Sequence, residues 1–187
     1  MRRCAALKHA RVAELQRRSQ GSASALVRAS VERCIAQLDS EIDSIGAAVA
    51  ELIMQDPRLA ADDQLLTSIP GIGKQTSAIL LAEVVDFRAF GHNKQVAAFA
   101  GLTPHERQSG SSVRGRAHIS KAGSSRLRAA LYMCALTARR YNPGLKAFAE
   151  RLKDAGKAPK VILVAVARKL LVTAHGVVKS GMPFRPA

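Results

Sequence analysis

The sequence has no tryptophan, two tyrosines and five phenylalanines in 187 residues. That is too few aromatics for a module that grips single strands by stacking bases on a row of rings. Cysteine is scarce as well. Cys4, Cys34 and Cys134 are an odd number, far apart, with none of the C-x-x-C spacing of zinc sites and redox pairs; they are expected to be buried small hydrophobes in a reducing compartment. His9, His92, His105, His118 and His175 include no helical i, i+4 pair, so no metal and no cofactor is expected on this chain. No uninterrupted apolar run approaches the roughly 18 residues of a membrane span. After Met1-Arg2-Arg3 the chain turns to Lys8, Arg11 and Glu14 without a signal-peptide core. A cytoplasmic protein with no membrane partner is the expectation. Acidic residues are the last deficit: 14 Asp and Glu face 29 Lys and Arg, a formal net charge of +15, which points to a polyanionic partner.

The charge is arranged in blocks. Residues 1–30 carry seven basic groups and one acid, residues 31–66 two basic and eight acidic, and residues 67–187 twenty basic and five acidic. Within the acidic block Val31, Ile35, Leu38, Ile42, Ile45, Val49 and Leu52 recur at alternating spacings of four and three. This heptad seam predicts one long helix over 24–55, which either lies on its own domain's core or forms a helical hairpin or a dimerising coiled coil. A basic helix over 3–18 precedes it, with Gln20-Gly21-Ser22 as the break. Asp39, Glu41 and Asp43 read as the polar face of the long helix. The expected domains are therefore a helical hairpin or coiled coil over 1–60, giving a homo-oligomer, and a basic domain over 61–187.

Asp56-Pro57 ends the long helix. Beyond it the pattern predicts a short helix over 62–69, a turn at Pro70-Gly71-Ile72-Gly73, and a helix from Lys74 to Val85. A helix capped by Asn93 follows to Ala100. Gly101 to Gly123 reads as a loop or ribbon. Helices then follow from Ser124 to Arg140, from Asn142-Pro143 to about Ala155, and from Pro159 to about Val178, with a frayed C-terminus. The fold class is all-α.

Ile69-Pro70-Gly71-Ile72-Gly73-Lys74 between two short helices resembles a helix-hairpin-helix. Gly71 and Gly73 would let the turn adopt positive φ and bring backbone N–H groups against a phosphate at a helix N-terminus, where Lys74 adds a full charge. A nucleotide-binding P-loop is excluded, since it would need glycine at Ser68 and Ser or Thr at Gln75. An ordinary glycine turn between helices is the plainer alternative. The second signal is the stretch 101–128, with Arg107, Arg114, Arg116, Lys121, Arg126 and Arg128 set among small residues against one acid, Glu106. Its composition suits either a solvated basic loop or a phosphate site.

The ordered series Ile69-Pro70-Gly71-Ile72-Gly73, Phe99-Ala100-Gly101-Leu102-Thr103-Pro104, Ser109-Gly110, Gly115, Ile119-Ser120-Lys121-Ala122-Gly123 and Leu127-Arg128 resembles the C-terminal transposase domain of the IS-one-ten family of insertion sequences, the bridge-RNA-guided recombinases. The resemblance runs from about Leu65 to Leu171. It implies that DNA is cut and rejoined by a serine nucleophile, which falls on Ser109, with Ser111 and Ser112 left open, and that a guide RNA is a second partner. It further implies that an acidic, Mg²⁺-binding, RuvC-like domain lies N-terminal to this one. No such domain is read in the first 60 residues here, so this chain by itself is expected to be inactive. The competing reading is a truncated, non-catalytic remnant that only binds DNA. A serine hydroxyl needs an activating base, and its attack on a phosphodiester builds negative charge that cations must hold. The six basic residues above are the candidates for that charge, with Arg128 favoured by the family's Leu-Arg pair. His105 and His118 could act as bases but lie outside the family pattern.

Overall fold

The computed structural model describes residues 2–21, 24–105 and 118–186, and the backbone alone of 108–109 and 113–114. Helices dominate throughout, as an all-α chain requires. Two compact units are present, residues 1–57 and 58–187.

The first unit is a pair of helices, α1 (Arg2–Gln20) and α2 (Ala25–Gln55). They run antiparallel: Arg18 pairs with Glu32 at 3.6 Å, and Arg11, one turn pair earlier on α1, reaches Asp39 further along α2. Leu7 and Ile35 are buried between them. At 1.5 Å per residue the 31-residue α2 outruns the 19-residue α1 by about 18 Å. With Arg18 opposite Glu32 and Arg11 opposite Asp39, α1 runs out beside Val49, so the heptad seam is covered up to its last position, Leu52, which is 63% exposed.

The second unit is built on α6 (Ser125–Tyr141) and α8 (Pro159–Ser180), packed against each other and both against α7 (Pro143–Asp154). The shorter helices α3 (Pro57–Thr67), α4 (Lys74–Glu83) and α5 (Asn93–Phe99) complete it. Leu127, Leu131, Val166, Leu170, Leu171 and Val178 form the fully buried centre. Local chemistry sets the boundaries. The Ser124 hydroxyl accepts the Leu127 N–H at 3.2 Å and the Asn142 side chain accepts the Leu145 N–H at 3.2 Å, two side-chain N-caps, the second followed by proline at the first helical position. Gly181 in the left-handed region stops α8. By length and composition alone α8 could cross a membrane. Here ten of its residues are buried in the protein's own core, and Arg168 and Lys169 stand near its middle.

Four expectations are corrected. Helix α3 begins at Pro57 rather than Asp62, because a proline that ends one helix also fits the first turn of the next. Helix α5 is preceded by His92, whose N–H donates to the Gln95 side chain at 3.2 Å, while the Asn93 side chain is taken up by His175 at 2.8 Å. The C-terminal residues are not all frayed, since the Phe184 N–H donates to the Ser68 hydroxyl at 2.9 Å. Of the cysteines only Cys134 is buried; Cys34 is exposed on α2.

Between α4 and α5 a single 3-10 turn (Phe87–Ala89) opens on Asp86, whose carboxylate accepts the Arg88 N–H at 2.8 Å. Arg58 donates to the same carboxylate and, with that N–H, holds it below the usual range. Arg88 in turn makes two 2.7 Å hydrogen bonds to the buried Asp62, tying α3 to the turn.

Candidate nucleic-acid interface

The helix-turn-helix over 57–83 is held from beneath by Leu66, Ile69, Ile72 and Leu80, all buried. Gly71 has φ of +106°, and a Cβ there would lie 2.5 Å from the Cβ of Ala138. The residue is glycine because the turn both adopts a left-handed conformation and sits directly on α6. Gly73 differs from expectation. Its φ is −92° and a Cβ would meet nothing within 4 Å, so neither conformation nor packing demands glycine at this position. What Gly73 and Lys74 share is exposure at the start of α4. The Gly73 carbonyl accepts the Thr76 and Ser77 N–H groups, which leaves the N–H groups of Lys74 and Gln75 without intrahelical partners.

The stretch after α5 forms a ribbon of two short antiparallel ladders. In the first, β1 (Pro104–His105) pairs with β4 (His118–Ile119), setting His105 opposite His118 with ring centroids 5.7 Å apart. In the second, β2 (Gln108–Ser109) pairs with β3 (Val113–Arg114), setting Ser109 opposite Val113. Ser109 thus stands on the ladder farther along the ribbon. Its side chain, that of Arg114, and all of Arg107, Ser111, Ser112 and Arg116 lie outside the described residues.

The neck of the ribbon is drawn tight. A Cβ on Gly123, at φ +152°, would lie 2.2 Å from the Phe99 carbonyl oxygen, so the outgoing strand can pass the end of α5 only as glycine. Arg128 closes this neck by donating to the carbonyls of Ala100, where the chain goes in, and Gly123, where it comes out, at 3.2 and 3.0 Å. Arg126 donates to Glu83, and Ser124 donates to the same carboxylate at 2.6 Å. These two arginines, expected to face phosphate, are held by protein acceptors: Arg128 positions the ribbon and Arg126 joins α6 to α4. Lys121 is exposed, with φ of +56°.

Sequence reasoning missed a second group of cations. A trough of about 850 Å³ runs between the ribbon neck, α7 and α8. Leu102, Ile119, Phe148, Val161, Val164 and Val172 supply apolar lining, and Lys121, Lys160, Arg168 and Lys169 supply its charge, with no acidic residue in the lining among the described residues. Lys169 lies 4.5 Å from the centroid of the Phe148 ring. The signal was present in the spacing: residues 160, 164, 168 and 172 fall at i, i+4, i+8 and i+12, one stripe of a helix that was read only for its apolar core face.

The fold and site together define a basic, helical domain that carries a ribbon braced at its neck, beside cations that enter no ion pair among the described residues. Residues 63–150 match the family described as Transposase IS116/IS110/IS902, and the chain belongs to this family by that domain. It is similar to the "Pilin gene-inverting protein" of Moraxella bovis, 34% identical over 178 residues, spanning 94% of this chain and 55% of the relative. It is also similar to the "Putative transposase y4rJ" of Sinorhizobium fredii, 37% identical over 129 residues, 66% of this chain and 32% of the relative. A third relative is the "Insertion element IS900 uncharacterized 42 kDa protein" of Mycobacterium paratuberculosis, 28% identical over 165 residues, 88% of this chain and 40% of the relative. The chain spans about half the length of the pilin gene-inverting protein it matches.

Proposed function

We propose that this chain is the serine-bearing part of an insertion-sequence transposase and acts on DNA by cleaving and rejoining strands through a phosphoserine linkage. The observation that carries this reading is that the matched family domain contains the whole ribbon with Ser109, on a chain of net charge +15. In the proposed step the Ser109 Oγ bonds to phosphorus as the bond from phosphorus to one strand's oxygen breaks. The hydroxyl proton passes to a base and the departing oxygen gains one. The attacking strand later reverses the step, so the number of phosphodiesters is conserved and no outside oxidant or energy source is used. Lys74 at the start of α4, Lys121 at the ribbon neck, and Arg107, Arg114 and Arg116 of the ribbon are assigned to phosphate. Arg128 keeps the ribbon neck in place and Arg126 joins α6 to α4.

Mg²⁺ is assigned to the carboxylates of a RuvC-like domain of the longer family proteins. Among the described residues no group of three or more His, Cys, Asp or Glu side chains is placed to hold a metal ion, and no step here is routed through one. A guide RNA is the second proposed partner, and the uncovered end of α2 is the proposed contact for a second copy.

The test is covalent. The chain is mixed with its cognate element ends, Mg²⁺ and the RuvC-like domain of a family member, and SDS-resistant protein–DNA adducts are counted. Ser109→Ala is expected to abolish the adduct while DNA affinity stays within about two-fold, because a hydroxyl adds little to a phosphate-dominated interface. An adduct that survives Ser109→Ala but is lost in Ser111→Ala or Ser112→Ala moves the nucleophile. No adduct in any variant, with DNA binding intact, leaves the non-catalytic DNA-binding module.

A further inference from the structure

The trough beside the ribbon is built unlike a surface for double-stranded DNA. A duplex hides its base faces in the stack and presents phosphates, sugars and base edges. Laid over the trough it would neutralise Lys121, Lys160 and Arg168 and leave the apolar floor of Val161, Val164 and Phe148 uncovered. An unpaired strand presents both chemistries at once, because each nucleotide offers a flat apolar base face on one side of its backbone and an anionic phosphate on the other. Charge selects the same occupant: among the described residues four cations and no acid line the trough, and Lys121, Lys160 and Arg168 enter no ion pair. The volume of about 850 Å³ is at the upper end for small-ligand clefts and has room for more than one base.

Position supplies the remaining argument. His118 and Ile119 belong both to the lining and to the ladder that leads into the Ser109 strand. A strand exchanged singly must leave its old complement before it pairs with a new one. This inference rests on the reaction proposed above, taken as an exchange of one strand at a time, in which unpaired DNA lies beside the nucleophile. We propose that the trough holds unpaired nucleotides of the DNA strand being exchanged, with phosphates on Lys121, Lys160 and Arg168 and bases against the floor formed by α7 and α8. The scarcity of aromatic rings is met by aliphatic packing: Val161, Val164 and the Phe148 edge take the base faces that a row of rings takes in dedicated single-strand binders.

The experiment is fluorescence anisotropy on the full chain with three labelled probes of about 20 nucleotides: oligo-dT, a mixed-sequence DNA duplex and oligo-rU. Val161 is 53% exposed, so Val161→Glu is expected to leave the thermal melt unchanged. It is expected to weaken oligo-dT binding about ten-fold or more while duplex binding stays within two-fold, a glutamate both repelling phosphate and spoiling the floor. Lys160→Ala with Arg168→Ala is expected to weaken oligo-dT binding and to lower its salt slope by about 1.4, two single-strand phosphate contacts. Lys74→Ala is expected to do the reverse, weakening duplex and sparing oligo-dT. If Val161→Glu weakens both DNA probes equally or neither, the inference fails, while duplex binding keeps the chain a DNA-binding protein and the adduct assay above decides the parent reading; if the unaltered chain does not bind the duplex at all, the parent reading fails. Oligo-rU bound ten-fold tighter than oligo-dT, and lost in Val161→Glu, would assign the trough to RNA and overturn the DNA assignment. Self-association lost in Val161→Glu with oligo-dT binding unchanged would assign it to a second copy.

Discussion

Asp62 is buried and makes its two hydrogen bonds to one guanidinium, that of Arg88. Arg88→Ala would leave a carboxylate inside the protein without its donors and detach α3 from the 3-10 turn. A loss of about 2 kcal/mol is expected, the scale for hydrogen bonds to a charged group, read as a lower denaturation midpoint in urea. The thiols report on local environment in another way. Burial pushes the Cys134 thiol up, against the opposing effect of its contact with the Thr76 hydroxyl at 3.0 Å, so it stays protonated and shielded at neutral pH. Cys34 is exposed. Iodoacetamide followed by peptide mapping is expected to modify Cys34 promptly and Cys134 only when the protein is unfolded. Equal rates would mean that α4 and α6 do not pack as described.

Among the elements, α2 and the ribbon neck are each incompletely explained by their own residues. Helix α2 has a seam long enough for about three heptads but a partner helix that stops short of its last position, leaving Leu52 in solvent. If a second copy covers that end, Leu52→Glu is expected to shift the chain toward monomer in analytical ultracentrifugation with no loss of helicity, since the site is open and glutamate is a good helix former. An unchanged sedimentation profile would remove this end from any oligomer contact. The ribbon neck depends instead on residues that are distant in sequence. Gly123 passes the Phe99 carbonyl, and Arg128 bonds the two ends of the segment together, so the point from which the ribbon leaves the domain is set by α5 and α6.

For the whole molecule the governing quantity is charge. The two flanking blocks are basic and the block between them acidic, and the second unit carries most of the excess. Each phosphate neutralised on duplex DNA releases counterions, so about five contacts would give a slope of log affinity on log salt near −4 to −5. That slope is expected for a duplex bound by the full chain. A slope near zero would rule out phosphate as the main contact, and with it both the helix-turn-helix and the ribbon as DNA-binding elements.

Local signals in the sequence were enough for the helices. Ser124 and Asn142 announce their caps, Pro143 and Pro159 sit where prolines begin helices, and the four-three spacing along α2 marks its length. The family also followed from the order of the short motifs around Ser109, and the domain match over 63–150 agrees with it. The sequence by itself therefore determined the helical class and the basic character, because periodicity, caps and composition are properties of neighbouring residues, and the family through the resemblance of its motif series. Only the tertiary structure decided how the cations divide. Arg126 and Arg128 look identical to Arg168 as letters, yet the first two find Glu83 and backbone carbonyls from other elements while the third is left facing an apolar trough. Whether a charge is spent inside the protein or left for a partner depends on which acceptors the fold brings within about 3 Å of it, and no spacing along the chain carries that information.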